Sequence, residues 1–184
     1  MSRHTLHITF ALLLLILSAA CTSRYRLDLL MAVEKEAPGK VKVVSARCLP
    51  HTRLGSPATD RKLLPGDRTA LVIRTSARGE TLPFSPLAKA LQFDENIQTE
   101  LYLEIDEPPA AGNWTLEGRS FVQVLGRFDR PAEEKLFLPE PQGWVAVDSV
   151  TTKHLYVSLL GEYRNHVGQL LTFDGKVRID RPQS

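Results

Sequence analysis

Cysteine is almost absent from the 184 residues, occurring only as Cys21 and Cys48. No disulfide framework can hold such a chain, so a buried core has to. Charge of one sign is lacking as well: Lys and Arg number 23 against 21 for Asp and Glu, a formal net charge of +2. That balance gives none of the overall basic excess that nucleic-acid binding calls for. The longest apolar run, Ile8–Leu17, is about half of what a membrane-spanning helix needs. There is no glycine-rich phosphate loop, no Gly-x-Ser-x-Gly elbow and no His-Glu-x-x-His helix. Nor is there a repeat of fixed period, which excludes solenoids and propellers. With 11 glycines and 12 prolines, usage is close to average, and a low-complexity or collagen-like chain is excluded too.

What is present starts at the amino terminus. Met1–His7 is short, polar and carries Arg3; Ile8–Leu17 is apolar; Ser18, Ala19 and Ala20 are small. These are the three parts of a secretory signal, so residues 1–20 are expected to be a removable signal peptide. The remaining 21–184 are enough for a single domain with a real core.

Ser18-Ala19-Ala20-Cys21, directly after a leucine run, resembles the lipobox of bacterial lipoproteins, with Ser18 where that family usually carries leucine. The resemblance implies that Cys21 becomes the first mature residue, that its thiol takes a diacylglyceryl group, and that the new amino terminus is acylated. At about 0.8 kcal/mol per buried methylene, two or three acyl chains make a durable membrane anchor. It also implies, from Thr22 and Ser23 in place of an aspartate, an outer-membrane address in the bacterial cell envelope. With Cys21 acylated, Cys48 would be left as a free thiol.

Beyond the anchor the chain alternates. Tyr25, Leu27, Leu29, Met31 and Val33 share one face of a predicted strand; 41–48, 69–75, 99–105 and 120–125 read the same way, with shorter pieces at 114–116 and 135–138. Residues 49–67, punctuated by Pro50, Gly55, Pro57, Pro65 and Gly66, read as a long irregular loop. Ser85-Pro86 followed by Leu-Ala-Lys-Ala-Leu91 is the one helix signal. The last third gives three strands, at 144–147, 154–163 and 170–179. Leu155, Val157, Leu159 and Tyr163 point one way on the second, as do Leu171, Phe173, Val177 and Ile179 on the third. The expected fold is all-β: an antiparallel β-sandwich or barrel of about nine strands with at most one short helix. The closing pattern, Leu-Leu-Gly-Glu-Tyr followed by Leu-Thr-Phe-Asp-Gly-Lys-Val, resembles the end of many uncharacterised β-sandwich lipoproteins and implies no catalytic residue.

Chemistry is sparse. Cys48 and His51 have a spacing that could pair a nucleophile with a base, but a free cysteine on a strand is usually core. The mature histidines, His51, His154 and His166, stand alone in sequence, so no metal site or cofactor is expected. Asp94-Glu95 and Asp106-Glu107 are neighbours whose side chains diverge, unlike a glycosidase pair, and read as solvated turns. Trp114 and Trp144 could together stack on a sugar ring, although large aromatics more often plug the core. The expectation is therefore a membrane-anchored envelope lipoprotein whose β domain binds or scaffolds, without catalysis. Its partners would be the membrane, through acyl chains on Cys21, and another envelope protein or a glycan. The alternative is a surface carbohydrate-binding module, with a lipid carrier and a Cys/His hydrolase behind it.

Overall fold

Strict alternation on long segments, with polar residues on one face, produces the strands of the molecule. The computed structural model describes residues 28–33, 38–56, 62–78, 96–125, 136–164 and 170–182. The signal-like segment, Cys21, the expected helix at 85–91, Asp94-Glu95 and His166 lie outside the described residues.

Among the described residues there are twelve strands: β1 (Leu29–Val33), β2 (Gly39–Leu49), β3 (Thr52–Leu54), β4 (Leu63–Pro65), β5 (Arg68–Arg78), β6 (Asn96–Asp106), β7 (Gly112–Thr115), β8 (Ser120–Leu125), β9 (Leu136–Leu138), β10 (Glu140–Val150), β11 (His154–Arg164) and β12 (Leu170–Asp180). Ten of them form one sheet in the order β7-β10-β11-β12-β1-β2-β5-β6-β8-β9, and β3 and β4 form a separate pair. The fold is all-β, as expected, but the sheet does not close into a barrel, because β7 and β9 end it. It curls so that β8 approaches β11, where the buried hydroxyls of Ser120 and Tyr163 meet at 2.8 Å.

The concave side holds one continuous core. Leu71 and Ile73 of β5, Leu101, Leu103 and Ile105 of β6, and Val122 and Val124 of β8 meet Val145 and Val147 of β10. The inward residues expected on the last two strands, Leu155, Val157, Leu159, Tyr163, Leu171, Phe173, Val177 and Ile179, are all buried there. Each of these two strands has one inward position without a side chain. At Gly161 a Cβ would come within 2.8 Å of Leu116 and Tyr163, so the space is already filled. At Gly175, with φ +145°, a Cβ would meet the Asp28 carbonyl oxygen at 2.0 Å. Only glycine tolerates both the backbone and the approach there, and that approach is what lets β1 lie against β12.

β1 enters the sheet as a wedge. It pairs antiparallel with β12 from Leu29–Gly175 to Val33–Leu171, and with β2 from Leu29–Val41 to Met31–Gly39. Beyond Leu29 the flanking strands join each other directly, through a parallel bridge between Asp180 and Arg47. The line of β1 thus runs into a seam in the middle of the sheet.

The stretch 49–67 departs from its loop expectation. Thr52–Leu54 and Leu63–Pro65 pair as a hairpin, because Leu54 and Leu63 have an apolar patch to cover. That patch, Val72, Tyr102 and Phe121, sits on the convex side of β5, β6 and β8, with Leu49 also packed on it. Tyr102 and Phe121 stack with centroids 4.6 Å apart. Burial of these side chains, at roughly 25 cal/mol per Å², gives a proline- and glycine-rich segment a reason to order.

Candidate functional site

The two tryptophans occupy opposite sides of the sheet. Trp114 of β7 stands opposite Val145, and Trp144 of β10 stands opposite Thr115. Trp114 therefore points with Val145 toward the core and packs against it, while Trp144 points outward at 42% exposure. Successive residues of a strand alternate in face, so neighbours in the ladder diverge, and no shared stacking platform exists.

What accompanies Trp144 is Leu160. The two are direct cross-strand partners on β10 and β11, and Leu160 is 40% exposed. Thr115 of the edge strand β7 flanks the pair on one side and Asp174 of β12 on the other. Nearby, Arg164 donates to Glu162 at 3.3 Å. The result is a small exposed apolar spot with a charged rim, next to a strand whose second edge pairs with nothing among the described residues. An exposed indole and leucine together can desolvate against a partner, and an open edge can accept a strand.

The convex side of β5, β6 and β8 is built differently. Arg74 and Glu100 are opposed across β5 and β6. The Arg74 guanidinium donates to Glu100 Oε1 through both Nε, at 3.0 Å, and Nη2, and the Tyr102 hydroxyl donates to Glu100 Oε2 at 2.7 Å. Burial by itself would raise the Glu100 pKa, but the Tyr102 and Arg74 hydrogen bonds outweigh it and hold the carboxyl below its usual range. Burial, and after it the same carboxylate, pushes the Tyr102 phenol upward, and Lys62 lies 5.8 Å from the Tyr102 ring centroid. Gln123 of β8, opposite Glu100, is fully buried, and neither its Oε1 nor its Nε2 has a hydrogen-bond partner among the described residues. Nothing in the sequence marked Gln123, since a single glutamine in an apolar run looks like an outward residue.

The candidate nucleophile and base are not brought together. Cys48 points into the core, 4% exposed, and burial pushes its thiol up to about 11 against a smaller lowering by Arg181. His51 is exposed in the turn after β2, at φ 52°, where its amide donates to Glu107 Oε2 at 3.2 Å. A thiol held protonated in apolar surroundings is a poor nucleophile. His154 sits at the start of β11, with Nδ1 3.1 Å from Asp180 Oδ1. Among the described residues no three His, Cys, Asp or Glu side chains converge as metal ligands, and no helix is long and apolar enough to cross a membrane.

Asp106 and Glu107 are more engaged than solvated turn residues would be. Trp114 hydrogen-bonds Asp106, which also pairs with Arg119 at 3.1 Å and with Arg68. The Trp114 bond, followed by the Arg119 bond, holds that carboxyl below its usual range. Glu107 accepts from the Thr69 hydroxyl and the His51 amide. Both carboxylates thus tie the end of β6 to β5, with Asp106 reaching on to Arg119 and Trp114 and Glu107 to the turn after β2, and the two do not face one substrate.

Comparison with protein-family models, curated proteins and solved structures finds no match for this chain.

Proposed function

We propose that the protein is a lipid-anchored component of the bacterial envelope, held through Cys21 to the outer membrane, whose β domain binds another envelope component without catalysis. The observation that carries the anchor is positional: Cys21 follows a signal-like run and stands eight residues before Leu29, the first residue of β1. Support for a binding role comes from the Trp144–Leu160 spot beside the open edge of β7, which suits a partner that adds a strand or covers an apolar face. A solvated spot of this size belongs to a weak or partial interface. Glycan binding is the second reading, and its support is the exposed indole of Trp144 alone.

Fatty-acid labelling tests the anchor: wild type should incorporate label and Cys21→Ser should not, and equal labelling would overturn it. Crosslinking in cells from a photoreactive residue at position 144 or 160 tests the binding face. One reproducible protein adduct, absent when the probe sits at Asp148, is the expected result. A carbohydrate adduct would favour the second reading.

A further inference from the structure

We propose that the convex face of β12, β1 and β2 is a membrane-docking wall, on which Lys42, Arg47 and Arg178 engage the phosphates of an anionic bilayer. The first observation is where the chain enters the sheet. β1 is the fifth of ten strands in spatial order, and its line runs into the seam closed by Arg47 and Asp180. A chain arriving at Asp28 therefore meets the wall of the sheet at its centre, far from both edges. Cys21 is seven residues upstream, a reach of at most about 25 Å when fully extended. If Cys21 is acylated, which is the lipid-anchor reading above, this wall is the surface held nearest the bilayer.

The second observation is charge. The registers place Lys40, Lys42 and Arg47 of β2 on the same convex face as Lys176 and Arg178 of β12, with Asp28, Asp174 and Asp180 as the acidic members. Lys40 is paired with Asp28, and Asp180 lies against His154. Lys42, Arg47 and Arg178 are exposed and make no ion pair among the described residues. The near-neutral chain is thus locally basic on one wall. Each basic side chain close to an anionic surface favours the bound form by about fivefold, an effect that decays within a Debye length.

The third observation is Val44. It sits at the register shift in β2 between Val43 and Ser45 and is 52% exposed, between Lys42 and Arg47. An apolar side chain flanked by two cations fits the headgroup boundary, where the ammonium and guanidinium groups reach phosphate while the valine meets acyl carbon.

The test uses the acylated full chain in vesicles of phosphatidylcholine alone or with 30% phosphatidylglycerol (about one lipid in three anionic, as a source of surface phosphate). A fluorophore is placed at Val44→Cys, with Asn113→Cys on the edge strand β7 as control; Cys48 is buried and does not compete. Headgroup-attached quenchers should quench the position-44 probe on anionic vesicles and spare the position-113 probe. High salt, or Lys42→Glu/Arg47→Glu/Arg178→Glu, should abolish the quenching and lower the docked-to-undocked ratio by about a hundredfold or more, from about fivefold per lost cation. Equal quenching on both vesicle types, or quenching that survives the triple reversal, would overturn the docking wall. Flotation at high salt separates the two readings. Loss of flotation there would overturn the anchor alone, while the charge-dependent quenching at low salt would still decide the wall.

Discussion

On the β5–β6–β8 side of the sheet the outward residues Val72, Tyr102 and Phe121 lie under the β3–β4 hairpin and are 3–6% exposed. On the β10–β11 side the equivalent outward residues, Trp144 and Leu160, stand open at 42% and 40%. Both sides belong to one sheet and share one core beneath. The outward face of a strand is thus not a fixed environment: its energetics depend on whether another element lies on it. The covered side spends apolar and hydrogen-bonding groups on stability, with Glu100 bonded by Arg74 and Tyr102. The open side leaves its apolar atoms exposed to solvent.

Alanine substitution gives the largest contrast. Phe121→Ala should cost roughly 3 kcal/mol or more, as in a core, although its side chain points away from the core. Trp144→Ala should stay within about 1 kcal/mol. Denaturant unfolding reads both, and equal losses would dissolve the distinction between the two sides. Gln123 is the next handle. Gln123→Met removes two unsatisfied buried polar atoms at similar volume and should stabilise by about 1–2 kcal/mol; a loss would mean that the amide is satisfied in the folded protein. Beneath both sides, Cys48→Ala should cost about 1 kcal/mol, and a thiol reagent should label native Cys48 only as the protein unfolds. Rapid native labelling would contradict its place in the core.

Two smaller effects follow. The Glu100 pKa is depressed in the folded state, so its contribution is fully present above the unfolded value of about 4.3 and is lost as pH falls through the depressed native value. Glu100→Gln should flatten the acid side of the stability profile and cost about 1 kcal/mol at neutral pH, the net worth of a typical buried hydrogen bond. An unchanged acid slope would show that the Arg74 and Tyr102 bonds do not set its titration. Smallest of all, Leu160→Ser should move stability by about 0.5 kcal/mol at most, while weakening whatever crosslink position 144 makes.

How much of this was legible varied with the kind of pattern. The β11–β12 pairing and its eight inward residues could be read directly, because strict alternation over eleven-residue strands leaves one consistent face. Trp114 and Trp144 could not be placed on a side, since a shift of one residue in register flips every side chain. Ser120–Leu125 is an almost continuous apolar run, and nothing local distinguishes Phe121, outward under a hairpin, from Val122 in the core. The β3–β4 hairpin was hidden for the same reason: its ordering comes from Tyr102 and Phe121, remote in sequence. The partners of Asp106 and Glu107 were equally remote, which made an engaged pair look like a solvated turn. Long-range pairing, unlike periodicity, is not written locally.

The wedge formed by β1 has a mechanical consequence. Its ladders comprise five register pairs with β12 and three with β2, and the Asp28 end is further held by the Lys40 ion pair and by the Lys176 amide donating to the Asp28 carbonyl at 3.0 Å. A force square to the wall would peel β1 from Leu29, breaking these bonds one after another. A force along the strand loads both ladders in shear, so they must fail together. Were the proposed wall to lie against a bilayer, a pull on β1 parallel to that surface would take the second, stronger direction.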